Sequence, residues 1–295
     1  MRIFVVGLGS IGRRHLSNAR ALGHEAEGGR LEEAASFAPE ALVMASPTSA
    51  HLEALRWAVE HGVHAYVEKP IAGATDGVAE TLEAAEAAGL VVAVGYNLRF
   101  HPALEAIRVA VRGGGIGRLL SVRAEAGQYL PDWHPHEDYR RSYAARAELG
   151  GGALLTLSHE LDYVRWIGGE VEDVRGIAAR VSSLELDVDD VAELTCRLQG
   201  GAIASVHMDF VDRSHNRRSR WIGEEATIAW GWGGPVRLLP DGVSLWEEKA
   251  DVLDETYAAA LQDFVSAVQE GSVPRCSGRD GLRTLELCEA VVAAR

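Results

Sequence analysis

The first twelve residues constrain the fold more than any other part of the chain. An apolar run over residues 2–6 leads directly into Gly7-Leu8-Gly9-Ser10-Ile11-Gly12, where a helical pattern begins. A dinucleotide diphosphate requires this order of buried strand, glycine turn and helix N-terminus, because the free N–H groups and the positive end of the helix dipole face the anion. Gly7 suits the tight turn, Gly9 lets the backbone approach the phosphates, and Gly12 permits close packing of helix against strand. The motif therefore predicts a nucleotide cofactor site; the alternative is an ordinary strand-to-helix turn.

Apolar runs typical of buried strands alternate with helical periodicity up to about residue 117. The patterns predict strands at 41–45, 63–67 and 90–94, with a short one at 24–30, and helices at 11–22, 50–61 and 78–85. Such alternation is typical of an α/β fold with a doubly wound parallel sheet. The glycine-rich segment 113–117 is the best candidate linker. We therefore expect a Rossmann-like dinucleotide-binding domain at 1–117 and a second domain at 118–295.

The pattern changes after residue 117. Apolar and polar residues alternate around Val122, a helix is predicted over 153–167, and hairpins are predicted around Gly200-Gly201 and Asp241-Gly242. Helices follow at 257–270 and 282–294, so this part is predicted to be α+β with an open, mainly antiparallel sheet. Four tryptophans of the later strands favour either an apolar subunit interface or core packing: Trp221, Trp230, Trp232 and Trp246.

Composition excludes several classes of partner. The net charge of −14 argues against nucleic acid or an anionic membrane, since neutralising phosphates requires clustered Lys and Arg. The three cysteines, Cys196, Cys276 and Cys288, have neither disulfide-framework nor metal spacing, which fits a reducing compartment. The first strand begins at once, leaving no room for a signal peptide, and no apolar run reaches the length of a membrane span. We expect a cytoplasmic protein.

Several motifs in order carry a resemblance to a known family. After the glycine motif come Ser46-Pro47-Thr48 with His51, Glu68-Lys69-Pro70, Asn97-Leu98-Arg99-Phe100, and Gly150-Gly151-Gly152 followed by His159 and Asp162. In these features the chain resembles the Gfo/Idh/MocA family of NAD(P)-dependent oxidoreductases over essentially its whole length. The resemblance implies a Rossmann domain, a second domain whose open sheet often mediates assembly into a dimer or tetramer, and a sugar, inositol or sugar-derived substrate.

The predicted cofactor site combines the glycine motif with residues at the ends of later strands. Its members are Gly7, Leu8, Gly9, Ser10, Ile11, Gly12, Arg30, Ser46, Pro47, Thr48, His51, Glu68, Lys69 and Asn97.

Hydride transfer also predicts catalytic residues. A secondary alcohol that gives up a hydride needs a group to move its hydroxyl proton and a cation or donor to stabilise the developing alkoxide. His159 suits the first task and Lys69, at the end of a parallel strand, suits the second. Asp162 lies on the same helix face as His159 and would orient its imidazole or bind a substrate hydroxyl. The alternatives are a solvated strand-end lysine and a histidine that only packs.

One departure from the family pattern concerns this catalytic group. Members of the family commonly carry an aspartate four residues before the histidine, where this chain has Leu155, or Thr156 if one residue is deleted. Either Glu160 or Asp162 takes over its role, or the acid–base arrangement differs. The alternatives to an oxidoreductase are therefore a lyase or glycosidase that oxidises its substrate transiently with bound NAD, and a binding protein that senses nicotinamide or a sugar without turnover.

A second departure lies after the second predicted strand. Arg30 stands where an acidic residue would bind the ribose diol, which favours a 2′-phosphate and so NADP over NAD. Arg13 and Arg14 add positive charge nearby or belong to a solvated helix face. From Arg30 the chain goes almost directly to the strand at 41, which predicts that the usual intervening helix and strand are left out.

Substrate contacts are predicted from one strand end and one loop. The loop 128–141 is rich in aromatic, histidine and arginine residues that could stack on a sugar ring or hold a carboxylate or phosphate. This loop and the residues around His159 are similar to a family branch that acts on nucleotide-sugar or sialic-acid-like compounds. His134, His136 and Glu137 are interpreted as surface residues, so no metal site is predicted. The predicted substrate residues are Lys69, Arg99, Tyr129, Trp133, Tyr139, Arg140, His159 and Asp162.

Overall fold

The computed structural model of the protein describes residues 1–247 and 252–293. The helices are α1 (Ser10–Ala21), α2 (Leu31–Phe37), α3 (His51–Glu60), α4 (Val78–Ala87), α5 (Pro102–Arg112), α6 (Ala153–Thr156), α7 (His159–Gly168), α8 (Val252–Glu270) and α9 (Gly278–Ala293). The strands are β1 (Arg2–Val6), β2 (Glu25–Gly29), β3 (Ala41–Met44), β4 (His64–Val67), β5 (Val92–Val94), β6 (Leu119–Gly127), β7 (Val171–Ala179), β8 (Val191–Leu198), β9 (Ile203–Asp209), β10 (Asn216–Gly223), β11 (Thr227–Gly231), β12 (Val236–Leu239) and β13 (Val243–Trp246). In the parts of the chain that are described, no helix combines the length and apolar character needed to cross a membrane.

The chain packs as two compact units. The first contains residues 1–97, 148–150 and 253–286, and the second contains 98–147 with the described residues of 151–252 and 287–295. This division differs from a single cut after Gly117 in two ways, because residues 98–117 belong to the second unit and the chain returns to the first unit near its end. Phe264 of α8 packs edge-on against Tyr66 of β4 at 5.8 Å, and Ala93 of β5 forms a bridge with Ser277. No local pattern in the sequence indicates that residues 253–286 belong to the first unit. A domain boundary placed from the sequence alone therefore does not include them.

The first unit is built on a parallel five-stranded sheet in the order β2-β1-β3-β4-β5. All four residues of β3 are buried, which is expected where helices cover both faces of a parallel sheet. The strand order reverses between β1 and β3. The crevice outside the carboxyl ends of these two strands is therefore the topological switch point, where open α/β sheets bind ligands.

The segment between β2 and β3 differs in part from the expectation. We expected both the usual helix and the usual strand to be left out, but residues Leu31–Phe37 form α2. The described residues contain no strand between β2 and β3, so β2 forms the edge of the sheet. Glu33 explains how so short a helix begins, because its carboxylate accepts a hydrogen bond from the Arg30 N–H at 2.8 Å.

The second unit contains an eight-stranded sheet in the order β13-β12-β11-β10-β6-β9-β8-β7. Only the β6–β9 pair is parallel among its ladders, so the predicted mainly antiparallel sheet is confirmed. Strand β8 alternates exposed residues with buried Ala192, Leu194, Cys196 and Leu198, as a sheet covered on one face requires. The helix predicted over 153–167 is two helices, α6 and α7, separated by residues 157 and 158.

The four tryptophans of the later strands belong to the core of this unit. Trp221 and Trp230 are buried, and Trp232 and Trp246 are half-buried against the same cluster. His101 lies among the rings of Trp230, Trp232 and Trp246 at centroid distances of 5.1–5.8 Å. Burial, with a smaller effect from the charge of Arg217, lowers the pKa of His101 to about 4, so this histidine is neutral in the core. Core packing, rather than an exposed apolar face, accounts for these residues.

The outer face of the same sheet carries a histidine between two carboxylates. His207 Nδ1 lies 2.7 Å from Glu193 Oε2, and its Nε2 lies 3.1 Å from Asp209 Oδ2. The hydrogen bond with Asp209, aided by Glu193, raises the pKa of His207 from 6.5 to about 9. A raised pKa in the folded state means that protonated His207 stabilises the fold.

Replacing His207 by glutamine is therefore expected to reduce stability below pH 6.5 and to matter less as pH rises through about 9. Because the side chain is 38% exposed, solvent screening limits the effect at low pH to about 0.5–1 kcal/mol. Urea unfolding at pH 6 and pH 10 measures the difference, with His134→Gln on an exposed loop as the control. A deficit that is equally large at both pH values would contradict a charged His207.

Candidate functional site

The carboxyl edge of the parallel sheet brings most of the predicted cofactor residues to one side of the first unit. Residues 7–12 follow β1, Arg30 follows β2, residues 46–48 follow β3, residues 68–70 follow β4, and Asn97 follows β5. Because the strands are parallel, all of these segments leave the sheet at the same edge. The sequence motifs thus form one candidate site at the predicted position in the fold.

The glycine motif has the backbone that its sequence predicts. Gly7 has φ +87°, and a Cβ there would lie 2.8 Å from backbone atoms of Ser46. A Cβ on Gly12 would overlap the Gly7 carbonyl oxygen, so only glycine lets α1 begin this close to β1. Gly9 differs from both, because a Cβ there would meet nothing within 4 Å. Gly7 and Gly12 are required by the fold, whereas Gly9 faces open space.

These features fit a dinucleotide diphosphate. Helix α1 begins at Ser10 without a side-chain cap and with no acidic residue in its first turn, so its first N–H groups are available to an anion. The hydroxyl of Ser46 is buried and makes no hydrogen bond with the described residues. A buried hydroxyl without a partner among the described residues and uncapped N–H groups at one switch point fit a polar ligand such as a diphosphate.

The end of β2 carries charges of both signs. Arg30 is exposed, and Glu33 accepts its backbone N–H while occupying the space where a Cβ of Gly29 would lie. Arg13 donates to the Leu8 carbonyl oxygen at 2.7 Å. Arg14 lies 3.0 Å from Asp254 and stacks on Tyr257, so its charge is matched inside the unit. Arg30 and Glu33 thus place one positive and one negative side chain at the end of β2, and contact of Arg30 with a cofactor stays a prediction.

Lys69 lies in a tightly held turn. The side chain is half-buried, and the flanking Glu68 and Pro70 are buried. Glu68 is paired with His15, and the Lys69–Pro70 peptide bond is cis. His51, a predicted cofactor residue, is 1% exposed, with Nδ1 2.8 Å from the Pro70 carbonyl oxygen and Nε2 2.9 Å from that of Ser46. Its ring nitrogens thus lie at backbone carbonyls and not at an open surface.

Asn97 and Thr48 are also buried. Asn97, a predicted cofactor residue, donates from its side-chain nitrogen to the Thr256 hydroxyl at 2.7 Å. The side-chain nitrogen of Asn97 is therefore hydrogen-bonded within the first unit. Thr48 is 3% exposed and would be 2.8 Å from a Cβ on Gly150. Both residues shape the loops of the site, and their direct contact with a cofactor stays a prediction.

In the second unit, α7 carries the other predicted catalytic residues. His159 is the first residue of this helix and is 9% exposed. Both oxygens of Asp162 accept hydrogen bonds from the Arg99 guanidinium, at 2.9 and 2.7 Å, and both side chains are 2% exposed. Asp162 is thus paired with Arg99, and its role toward the imidazole of His159 or a substrate hydroxyl stays a prediction. A bidentate pair buried this deeply fixes both partners in place.

The structure also bears on the missing aspartate before His159. Glu160, one of the two candidate replacements, is buried and accepts a hydrogen bond from Arg217 Nε at 2.7 Å. Both carboxylates of α7 are thus paired with arginines from other elements. This pairing favours the third possibility, an acid–base arrangement different from the common family pattern.

The loop 128–141 is partly engaged within its own unit. The Arg213 guanidinium lies 3.7 Å from the Tyr129 ring centroid, and Trp133 packs edge-on against Phe210 at 5.4 Å. Tyr139 accepts the Glu185 N–H at 3.1 Å, and Arg140 is paired with Asp138 and Glu185. These four residues stay predictions as substrate contacts, with the charge of Arg140 already matched by two carboxylates.

No role was predicted from the sequence for three charged or polar residues near the candidate sites, His15, Glu33 and Arg217. His15 was counted only as part of a helix face, although a histidine on the buried stripe of α1 is itself a signal of a polar partner. Glu33 was noted only as part of the segment after β2. Arg217 lies in the basic run 217–220, which does not overturn the charge argument against nucleic acid and for which no site was predicted. The partners of His15 and Arg217 are Glu68 and Glu160, which are distant in sequence and have no local signal. Glu33 differs, because it accepts the N–H of Arg30 three residues before it, as in a local capping pattern.

Comparison with known proteins is consistent with the geometry. A family model described as the oxidoreductase family with an NAD-binding Rossmann fold, GFO_IDH_MocA, matches residues 30–96. A second model, the GFO/IDH/MocA C-terminal domain, matches residues 104–229. Together the two models cover more than half of the chain.

Individual relatives extend this match over most of the sequence. A 1,5-anhydro-D-fructose reductase from Ensifer adhaerens is 28% identical over 265 residues, covering 86% of this chain and 77% of the relative. A myo-inositol 2-dehydrogenase from Thermotoga maritima is 26% identical over 333 residues, covering 97% of this chain and 94% of the relative. Among solved structures, levoglucosan dehydrogenase in complex with NADH matches 100% of this chain and 96% of its own with a TM-score of 0.86, at 21% identity. The similarity to levoglucosan dehydrogenase, at 21% identity, shows the fold alone.

Proposed function

This chain belongs to the Gfo/Idh/MocA family of oxidoreductases, and from that premise we propose that it transfers a hydride between NAD(H) and a secondary alcohol or ketone of a sugar-like ring. The observation that carries the proposal is the uncapped start of α1 with open space at Gly9, at the switch point of a parallel sheet. The names of two relatives, a reductase of 1,5-anhydro-D-fructose and a myo-inositol 2-dehydrogenase, support a polyhydroxylated ring as the substrate.

Each proposed catalytic residue has a separate task. When bound, NAD supplies the carbon that accepts the hydride. Loss of a hydride from the carbinol carbon turns the C–O bond into a carbonyl, and the hydroxyl proton must leave as this happens. His159 accepts that proton, and the ammonium of Lys69 stabilises the negative charge that develops on the oxygen. In the reverse direction, His159 returns the proton as the ketone takes up the hydride.

A substrate panel tests the proposal. Purified protein is incubated with NAD⁺ and inositols, monosaccharides, anhydrosugars and nucleotide sugars, and the absorbance of reduced nicotinamide is followed. We expect NADH to accumulate with at least one cyclic polyol. Substrate that is consumed without net NADH, but only when NAD⁺ is present, would indicate a lyase or glycosidase. Binding without turnover across the panel would indicate a sensing protein.

We propose NAD rather than NADP as the cofactor. The Arg30 guanidinium would favour a 2′-phosphate, whereas the Glu33 carboxylate would repel it and could accept hydrogen bonds from a free ribose diol. Support for NAD comes from the position of Glu33 beside Gly29 at the end of β2, and from the NAD-binding description of the matched family model.

Opposite substitutions at these two positions are expected to move cofactor preference in opposite directions. Glu33→Gln should raise the affinity for NADP relative to NAD by about tenfold, since it removes one charge beside the 2′ position. Arg30→Glu should lower the same ratio by a similar factor. Calorimetric titration of both variants with NADH and NADPH gives the ratios. An unchanged ratio in both variants would show that the end of β2 does not contact the ribose.

We also propose that the chain assembles with copies of itself and lies in the cytoplasm. A homodimer or homotetramer is expected, and light scattering on the purified protein measures its mass directly. Location in the cytoplasm stays a prediction from the sequence.

A further inference from the structure

The turn that carries Lys69 is held from two sides by buried histidines. His15 comes from α1, the helix that begins at the glycine motif, and His51 comes from α3, the helix that follows β3. Both are at most 1% exposed. Neither histidine has a place in the proposed chemistry, yet both meet the three residues 68–70.

His15 reaches the turn through Glu68. Its Nε2 lies 2.7 Å from Glu68 Oε1, and the other oxygen of Glu68 accepts the Lys69 backbone N–H at 3.3 Å. Room for the carboxylate exists because residue 95 is glycine, since a Cβ there would lie 2.9 Å from the carboxyl group. The imidazole is held edge-on by Tyr66 and Tyr257 at 5.1 and 6.0 Å. One side chain thus joins the diphosphate-binding helix to the backbone of Lys69.

His51 fixes the other side of the turn. It bridges the Pro70 and Ser46 carbonyl oxygens, which lie on the loops after β4 and β3. Burial lowers the pKa of His51, and each of its two ring nitrogens lies within hydrogen-bond distance of one of these carbonyl oxygens. The loop with the unsatisfied Ser46 hydroxyl and the loop with Lys69 are therefore connected through a single ring.

Stability alone does not explain why the His15–Glu68 pair is buried. Taking a carboxylate out of water costs several kcal/mol, and apolar residues of similar volume often replace a buried pair without loss of stability. A fixed geometry is what a hydrogen-bonded pair provides and apolar residues do not. The hydrogen bonds of His15 and Glu68 fix the segment that carries Lys69.

We propose that His15 and Glu68 are a positioning pair that sets the Lys69 amine against the nicotinamide of a cofactor whose diphosphate lies on α1. The inference rests on the proposed function, because it assumes that NAD(H) binds at the glycine motif. His51 completes the support from the β3 side. His15 and Glu68 are positioning residues, and neither exchanges a proton with the substrate.

The lysine content of the chain makes the proposal directly measurable. Lys69 and Lys249 are its only lysines, and Lys249 lies outside the described residues. In a Lys249→Arg background, an amine-acetylating reagent therefore reports on one lysine side chain, and mass spectrometry of the Lys69 peptide gives its rate of modification. The rate is measured with and without saturating NADH, next to the NADH dissociation constant and the melting temperature of each variant.

In the wild-type turn, NADH is expected to slow modification of Lys69 by at least about tenfold, because the bound nicotinamide covers the amine. His15→Phe keeps an aromatic ring but removes the donor to Glu68. We expect it to bind NADH within about threefold of the parent while protection falls below about twofold. His15→Gln retains a donor and should recover most of the protection. His64→Gln, at the opposite end of β4, is the matched control and should change nothing.

The outcomes separate the inference from the function it rests on. If NADH binds the parent protein but leaves Lys69 unprotected, the proposed role of Lys69 fails and the positioning pair fails with it. If NADH protects the parent and His15→Phe equally, the pair does not position Lys69, although the proposed function stands. Should His15→Phe not fold, the double variant His15→Phe with Glu68→Gln removes the stranded charge and is judged by the same criterion.

Discussion

Replacement of Lys69 by alanine is expected to lower turnover by about a hundredfold to a thousandfold while the NADH dissociation constant changes by no more than about threefold. The ammonium stabilises charge that exists only in the transition state, so its loss affects the chemical step more than binding of the cofactor. The comparison needs steady-state rates with the best polyol from the panel and direct titration with NADH.

Lys69→Arg is the informative companion variant. It keeps the positive charge but replaces a compact ammonium with a planar guanidinium that fits a different geometry. We expect it to remain well below the wild-type rate, because the turn around Lys69 is held by buried partners and cannot move to accommodate a longer head group. Turnover of Lys69→Ala equal to that of the wild type would remove this residue from the mechanism.

The second large effect is expected at Gly9. Gly9→Ala should weaken NADH binding by at least about thirtyfold, because a methyl group would stand where the diphosphate approaches the backbone. The fold should tolerate the change, since Gly9 has φ −67° and a Cβ there meets nothing within 4 Å. We expect the melting temperature to fall by no more than about 2 °C. Calorimetric titration and thermal unfolding of the same preparations measure both quantities.

Two other glycines provide the contrast. Gly12→Ala puts its methyl group against the Gly7 carbonyl oxygen and is expected to destabilise the apo protein itself. Gly231→Ala, on β11 of the second unit with its nearest neighbour at 3.9 Å, should leave both stability and NADH affinity unchanged. If Gly9→Ala bound NADH as tightly as the wild type, no phosphate would approach the backbone at this position.

Local signals in the sequence predicted those parts of the molecule that depend on local chemistry. The strand, turn and helix around Gly7–Gly12 could be predicted because positive φ and close approach both demand glycine. The hairpin of β8 and β9 could be predicted because alternation and a two-glycine turn are short-range features. The α/β class followed from the order of such elements, and the structure confirms it.

Contacts between distant residues could not be predicted in the same way. Arg99 and Asp162 are 63 residues apart, and His15 and Glu68 are 53 apart. The residue types can be read from the sequence, but which residue each side chain contacts depends on the tertiary structure. This is why neither the pairing of Asp162 with Arg99 nor that of His15 with Glu68 was predicted. No range was predicted for strand β10 for a related reason. Arg218 and Arg220 lie on the open face of a sheet that only long-range pairing creates, and Arg217 pairs with buried Glu160.

The central claim is that a nicotinamide dinucleotide lies on the start of α1 and brings its ring to Lys69. A crystal structure of the protein grown with saturating NADH tests it most directly. We expect the diphosphate at the N–H groups of residues 10–12 and the nicotinamide within reach of the Lys69 amine. NADH bound elsewhere, or a switch point left empty at a concentration that saturates the protein in solution, would contradict the account.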